Sequence, residues 1–291
     1  MERQRQKKHM KKHLIITSAG SKYGDFLIQH WLRSLKANVK LNDIDIVVID
    51  YGLNAKQVSE LKRENVILIK GFEGGHVVTY RFIDAGKFLQ KSEYDQVLFI
   101  DGGDIIFQDD ISHLFEKDED SFRVAQLQVE TMFFEAFIPT NFSNDTKKKI
   151  WNVLRNKPVL NAGVLFASRE NFISLCNQID ILVHNKNSYG PDQVVVNYVL
   201  YQNKVVLLEE SYNFLLNHTP EGFVIRDGIF YKKNAEKIVV VHNAGRDGTL
   251  RPIKNFGYGK EYNQISYGTY YGKRAFFGML GFIRKIYSLF A

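Results

Sequence analysis

The stretch QVLFIDGGDIIFQDDI, residues 96–111, is where the chain declares its organisation. Its first five residues, Gln96 to Ile100, are short, apolar-dominated and bounded by polar residues, and so read as a buried strand. The strand ends in Asp101 and Asp104, separated only by Gly102 and Gly103, which leave room for a phosphate to approach the backbone. Hard divalent cations such as Mg2+ and Mn2+ take oxygen ligands, and are usually held by one or two protein carboxylates together with substrate phosphates. A strand that delivers two carboxylates from its carboxyl end therefore suits a metal and diphosphate site. The same residues also suit a capped turn in which the aspartates only accept backbone N–H groups. The surrounding sequence has to decide between them.

Working outward, LIITS, DIVVID and VILIK precede this stretch as further strand-like runs rich in Ile and Val. Between them FLIQHWLRSL, AKQVSELKR and TYRFIDAGKFL space their apolar residues at three and four, the period of an amphipathic helix. Strands alternating with helices predict a doubly wound, largely parallel sheet. Ligands in such sheets collect beyond the carboxyl ends of the strands, which points to TSAGSKYGD, DYG and DGGD. After Gln108 the segments TKKKIWNVLRNK, NFISLCNQIDIL and DQVVVNYVLY read as helices, and VLFAS and KIVVVHNAG as strands. This second half, which carries no internal repeat, elaborates the same sheet. KIVVVHNAG brings His242 to the end of a buried strand, where an imidazole could complete a metal's coordination sphere or serve a structural role. Beyond it GRDGTLRP places Arg246 and Arg251 in a glycine-bearing loop, suited to neutralising a diphosphate or simply solvated.

Composition narrows the classes. With 291 residues, 45% of them hydrophobic, the chain is long enough to bury a full core. Its one cysteine, Cys176, excludes an internal disulfide framework and fits a reducing cytoplasm. No apolar run reaches the ~18 residues that span a bilayer. Net charge is +7, but residues 1–13 contribute +5 and residues 262–291 contribute +4, leaving −2 for residues 14–261. Basic character thus belongs to the ends, which argues against a nucleic-acid groove across the body and for an acidic surface met by the tails. We divide the chain into a disordered basic tail at 1–12, one domain at 13–265 and an amphipathic tail at 266–291. In that last segment Phe276, Met279, Leu280, Ile283, Ile286, Tyr287 and Phe290 share one helical face, opposite Arg274, Arg284, Lys285 and Ser288. An interfacial helix on an anionic membrane has this pattern, and so does a helix docked on the domain.

Taken in order, these motifs resemble the GT-A fold glycosyltransferases of family 8, which include glycogenins and bacterial lipopolysaccharide hexosyltransferases. TYR at 79–81 is similar to the family's Tyr/Arg segment, VLFIDGGDI to its Asp-x-Asp motif and LNAGVLFA at 160–167 to its Asn-x-Gly motif. GPDQVVVN at 190–197 is similar to its Asp-Gln motif and VVHNAG at 240–245 to its His-x-x-Gly motif. The resemblance covers most of residues 13–255. It implies a Rossmann-like single domain with a mixed, mostly parallel central sheet, here followed by the basic amphipathic helix.

The resemblance also assigns roles. Asp101, Asp104 and His242 would bind Mn2+ or Mg2+, and Arg81 would lie along the sugar and diphosphate of a UDP-sugar donor. Thr17, Ser18, Ala19 and Tyr23 would hold the nucleoside, with Gly102, Gly103, Gly245, Arg246 and Arg251 around the diphosphate. Asn161 would contact the transferred sugar or the acceptor, and Asp192 and Gln193 would lie beside the sugar ring. From residue type alone Asn161 could equally be a turn residue, and Asp192 the N-cap of the helix that follows it. The implied activity is hexose transfer to a glycan, glycolipid or glycoprotein, with retention, by a cytoplasmic enzyme peripheral to the inner face of the membrane. Two departures stand out: the family spaces its aspartates two apart, and follows its His-x-x-Gly closely with Lys-Pro-Trp. A non-catalytic nucleotide-sugar or glycan-binding module of the same fold is the competing expectation.

Overall fold

The computed structural model describes residues 12–130, 141–217, 222–245 and 251–268, together with Tyr271, Gly272, Ala275 and Met279. Arg246, the basic tail before residue 12 and nearly all of the expected amphipathic helix lie outside the described residues. Among the described residues no helix is long and apolar enough to cross a membrane.

The expected βαβ alternation is present. Strands β1 (His13–Ala19), β2 (Ile44–Asp50), β3 (Ile67–Lys70) and β4 (Gln96–Ile100) alternate with helices α1, α2 (Ala55–Arg63) and α3 (Val77–Leu89). Helix α1 runs further than its apolar periodicity suggests, because Ser21–Phe26, a π-helical turn at Leu27–Leu32 and Arg33–Asn38 follow one another without a break. The second half supplies β5 (Ile105–Phe107), β6 (Phe122–Glu130), α4 (Asn144–Leu154), β7 (Pro158–Ser168), α5 (Arg169–Leu182) and α6 (Pro191–Leu200). Then come β8 (Val205–Leu208), β9 (Phe214–Leu215), β10 (Phe223–Arg226), β11 (Ile229–Lys232) and β12 (Val240–His242).

Seven strands form the main sheet in the order β3-β2-β1-β4-β7-β6-β8. β3, β2, β1 and β4 are mutually parallel. β7 runs antiparallel to both β4 and β6, while β8 is parallel to β6. The chain winds outward from β1 to β3 and then returns to place β4 on the other side of β1. The carboxyl ends of β1 and β4 therefore flank the point where strand order reverses, the crevice in which open α/β sheets bind ligands.

Continuous apolar strands follow from burial on both faces. Leu14, Ile16, Val47, Ile49, Val97 and Phe99 face α3, α5 and α6, whereas Ile15, Ile46, Val48, Leu98 and Ile100 face α1 and α2. On the first face Phe99 stacks on Phe82 with centroids 4.2 Å apart and meets Phe172 at 5.3 Å. On the second, Trp31 is fully buried and meets Phe107 edge-on. Cys176 is buried in the first core, where burial raises its thiol pKa well above the ordinary value.

Several second-half segments differ from expectation. The strand expected at VLFAS begins at Pro158, so Asn161 lies within a strand and not in a turn. The helix at residues 191–200 is capped by Gly190, which places Asp192 inside the first turn and not at the N-cap. IIF after the acidic turn pairs with VVH as a small second sheet, in the order β5-β12-β9. That antiparallel pairing cannot be read from either segment alone, because each is three residues long.

Phe99→Ala removes the ring shared by Phe82 and Phe172, and is expected to cost about 3–5 kcal/mol. Urea unfolding should show this as a lower midpoint with an unchanged slope.

Candidate active site

The small sheet brings the acidic turn and the histidine strand together. His242 pairs with Ile105 across β12 and β5, and the backbone N–H of Asn243 donates to the Asp104 carbonyl at 2.9 Å. On the other side the Asp101 N–H donates to the carbonyl of Gly163 in β7, also at 2.9 Å. Asp101, Asp104 and His242 consequently converge, each offering a ligand atom within 4.8 Å of the others. His242 Nε2 lies 3.5 Å from Asp104 Oδ1 and 3.7 Å from Asp101 Oδ2. Both aspartates of the stretched motif reach the same point, so the additional glycine lengthens the turn without parting the two carboxylates.

Close packing explains the glycines. A Cβ at Gly102 would lie 2.6 Å from Thr17 Oγ1 and 3.0 Å from the Ser18 carbonyl, and one at Gly103 would lie 3.1 Å from the Tyr23 ring. Thr17, Ser18 and Tyr23 thus support the turn directly. Thr17 and Ala19 are buried and Ser18 and Tyr23 half-buried. A Cβ at Gly163 would come within 2.7 Å of Asn161 Oδ1, 2.7 Å of His242 Cε1 and 2.9 Å of Asp101 Oδ2. Only a residue without a side chain lets β7 pass this close to the carboxylate and the imidazole.

Two arginines hold the carboxylates. Arg81, from α3, donates to Asp101 and lies 3.9 Å from Asp192, with its guanidinium 5.1 Å from the Phe99 ring centroid. Burial pulls the Arg81 pKa down, but Asp101 and Asp192 outweigh it and raise it above the ordinary value. Arg251 donates to Asp104 at 3.1 Å, to the Gly103 carbonyl at 3.0 Å and to the Gly245 carbonyl at 3.2 Å. It also sits 5.6 Å over the Tyr23 ring. Burial pushes the Asp104 carboxyl upward, yet His242, Arg251 and Arg81 together hold it below its usual value. Asp192 goes the other way: burial dominates, and its carboxyl is raised to about 6 despite Arg81.

Gln193 and Asn161 join the site through β7. The Gln193 amide accepts from the Ala162 N–H at 3.1 Å and donates to the Leu160 carbonyl, where the β6/β7 register is irregular. Asn161 Oδ1 accepts from the Gly163 N–H at 2.8 Å and from Asn213 Nδ2 at 2.9 Å. Asn213 and Asn243 are site residues that the motifs did not reveal. Asn213 contacts His242 Nδ1 at 2.9 Å. Asn243 exchanges hydrogen bonds with the backbone of Ile253 at 2.9 and 3.2 Å, tying the Arg251 segment to the histidine strand. Asn243 falls at a variable position of the His-x-x-Gly motif and Asn213 in no motif at all, so residue pattern gave neither a role.

Gly163→Ala is expected to leave the helix and strand content unchanged in circular dichroism while lowering the Tm, because its Cβ would lie 2.7 Å from His242 Cε1 and 2.9 Å from Asp101 Oδ2. A second expectation concerns Asp192. Its folded-state pKa of about 6 exceeds the ordinary 3.8, so across that window the folded protein holds a proton that the unfolded chain releases. The stability this group contributes is complete below that window and is lost as pH rises through it. Asp192→Asn should therefore stabilise the metal-free protein relative to the parent more at pH 7 than at pH 4, measured as the difference in Tm. An equal difference at both pH values would contradict the assignment.

Comparison with known proteins shows the family and the fold. The model of glycosyl transferase family 8 matches residues 76–247, more than half of the chain. No curated protein matches the sequence. Among solved structures, the galactosyltransferase LgtC in complex with donor and acceptor sugar analogs superposes with a TM-score of 0.52 at 15% identity, over 84% of this chain and 91% of that one. An active-site mutant of LgtC gives 0.55 at 16% identity over the same shares. The apo bifunctional glycosyltransferase WbbM gives 0.55 at 16% identity, over 83% of this chain and 47% of its own longer one. These likenesses are in fold, and the mixed sheet is that of the GT-A fold. The matched segment holds the acidic turn, Arg81, Asn161, Asp192 and the histidine strand, and the chain belongs to glycosyl transferase family 8.

Proposed function

We propose that the chain transfers a hexose from a UDP-sugar to a carbohydrate-bearing acceptor, with Mn2+ or Mg2+ held by Asp101, Asp104 and His242. The convergence of those three side chains at the switch point of the sheet carries this reading. Two carboxylates and an imidazole nitrogen suit such an ion, which when bound would supply a Lewis acid for the departing diphosphate.

Charge supports the same function. Asp101, Asp104 and Asp192 against Arg81 and Arg251 sum to −1, the imidazole left aside, and a divalent ion would bring that sum to +1. A site of that sign attracts a diphosphate and stabilises the charge that grows on it as the sugar leaves. Arg81, between Asp101 and Asp192, is placed to move from carboxylate to donor. Arg251, anchored on two backbone carbonyls, braces the acidic turn on the opposite side. Arg251 before Pro252, or Arg246 from a position nearer the His-x-x-Gly motif, would take the place of the lysine that the family resemblance expects, and the planar fork of either suits bidentate contacts to phosphate. Asn161 uses only its oxygen in the hydrogen bonds found among the described residues, leaving its amide N–H groups for a sugar hydroxyl. Asp192 and Gln193 open the helix beside it. The family resemblance supports retention of configuration. The meeting of Asp101 and Asp104 at one point favours turnover over the non-catalytic binding module.

A panel of nucleotide sugars incubated with Mn2+ and read by UDP release tests this. Release from at least one UDP-sugar is expected, and Asp104→Ala should reduce it about 100-fold or more. Equal release by parent and variant would sink the site assignment. The basic, aromatic C-terminal segment is proposed to attach the enzyme to an anionic membrane surface. Removing residues 1–12 and 272–291 should then spare UDP release and abolish sedimentation with anionic vesicles, whereas loss of both would place the function in the tails.

A further inference from the structure

We propose that Asn213, aligned by Asn161, is a positioning residue that fixes a proton of His242 on Nδ1 and so turns Nε2 toward Asp101 and Asp104. The chain of contacts starts from a group with no freedom of role. The Gly163 backbone N–H can only donate, and it donates to Asn161 Oδ1 at 2.8 Å. The atom turned to Gly163 is therefore the oxygen of Asn161, and the same oxygen takes a second hydrogen bond from Asn213 Nδ2 at 2.9 Å. With its nitrogen so committed, Asn213 points its oxygen at His242 Nδ1, again at 2.9 Å. An amide oxygen is an acceptor only, so Nδ1 must carry the proton.

No other arrangement of the amides satisfies all three contacts. Turning Asn213 over would set its oxygen against that of Asn161. Turning Asn161 over as well would bring its NH2 against the Gly163 N–H. Burial removes water as an alternative partner, since Asn213 is 1% exposed and His242 2%. The backbone also fixes where Asn213 sits. It ends the 3-10 turn Glu210–Asn213, the Val239 N–H donates to the Ser211 carbonyl at 3.0 Å, and the Leu216 N–H donates to the His242 carbonyl at 3.1 Å. Segments distant in sequence, around residues 161, 213 and 242, are thus joined by side chains that touch one another ahead of the proposed metal.

Metal-binding histidines generally donate their second ring N–H to such an outer partner, and loss of the partner typically weakens metal binding 10–100-fold. For this consequence the proposal rests on the reading of Asp101, Asp104 and His242 as ligands; the protonation of Nδ1 does not. In the 15N–1H long-range correlation spectrum of the metal-free protein, Nδ1 of His242 is expected to be a protonated nitrogen. A spectrum in which Nδ1 is the unprotonated nitrogen of the ring overturns the proposal, whether or not any variant folds. Mn2+ titration followed by electron paramagnetic resonance tests the consequence. Asn213→Leu should weaken binding at least 10-fold, and Asn213→Asp, which keeps the acceptor for Nδ1–H but sets a carboxylate oxygen against Asn161 Oδ1, should weaken it less than the Leu variant does. Equal affinity in the parent and the Leu variant overturns the proposal while leaving the metal site standing. A parent that binds no Mn2+ while Nδ1 is protonated overturns the metal reading and leaves Asn213 as the residue that orients His242.

Discussion

Asp101 and Asp104 meet within a few ångströms in a partly buried crevice, and two negative charges so placed repel one another strongly unless something offsets them. Much of the local architecture follows from that. Arg81 is delivered to one carboxylate by α3 and Arg251 to the other by a segment that follows the small sheet. Each arginine is fastened at its back, Arg81 over aromatic rings of the core and Arg251 on the carbonyls of Gly103 and Gly245. A site that already balances its carboxylates with anchored arginines suits the divalent ion and diphosphate of the proposed reaction, since each brings charge of the sign that its partner lacks.

Steric closeness is the second constraint. β7 runs against the rest of the sheet's direction between β4 and β6, and at Gly163 it passes the acidic turn and the imidazole at distances no side chain would allow. The same strand carries Asn161, and its irregular stretch is held by Gln193 and Asn197 from α6. One strand therefore joins the helix bearing Asp192 to the histidine that faces the carboxylates. Asn243 does the corresponding work on the opposite side by binding both backbone groups of Ile253. Phe256 then stacks on Phe26, and the Tyr258 N–H donates to His30 at 3.1 Å, closing the C-terminal segment onto α1.

Legibility in the sequence fell off where elements became short. β1, β2 and β4 were readable because each is a run of Ile, Val, Leu and Phe buried on both faces, the half-exposed edge strand β3 because ILIK keeps the same residue types, and α2 and α3 because their apolar period is clear. β5, β9 and β12 are two or three residues long, too short to show a period, and they exist because they find one another in space. The residues of the site divide similarly. Asp101, Asp104, Arg81, Asn161, Asp192 and His242 stand in motifs with fixed local company. Asn213 lies in the stretch ESYN with no neighbour that hints at a role, and becomes part of the site only because a turn after β8 lays it beside His242.

Local patterning along the chain was enough to set the βαβ rhythm, the strand ends that carry the chemistry and the family's order of motifs, because burial and periodicity act over a few residues and leave a local trace. Tertiary structure alone decided that the lengthened DGGD turn keeps both aspartates at one point, that Gly163 must lack a side chain, and that Asn213 sets the imidazole. Each of these depends on atoms brought together from segments about 30 to 140 residues apart and on contacts a few ångströms long, for which no local pattern of residues can stand in.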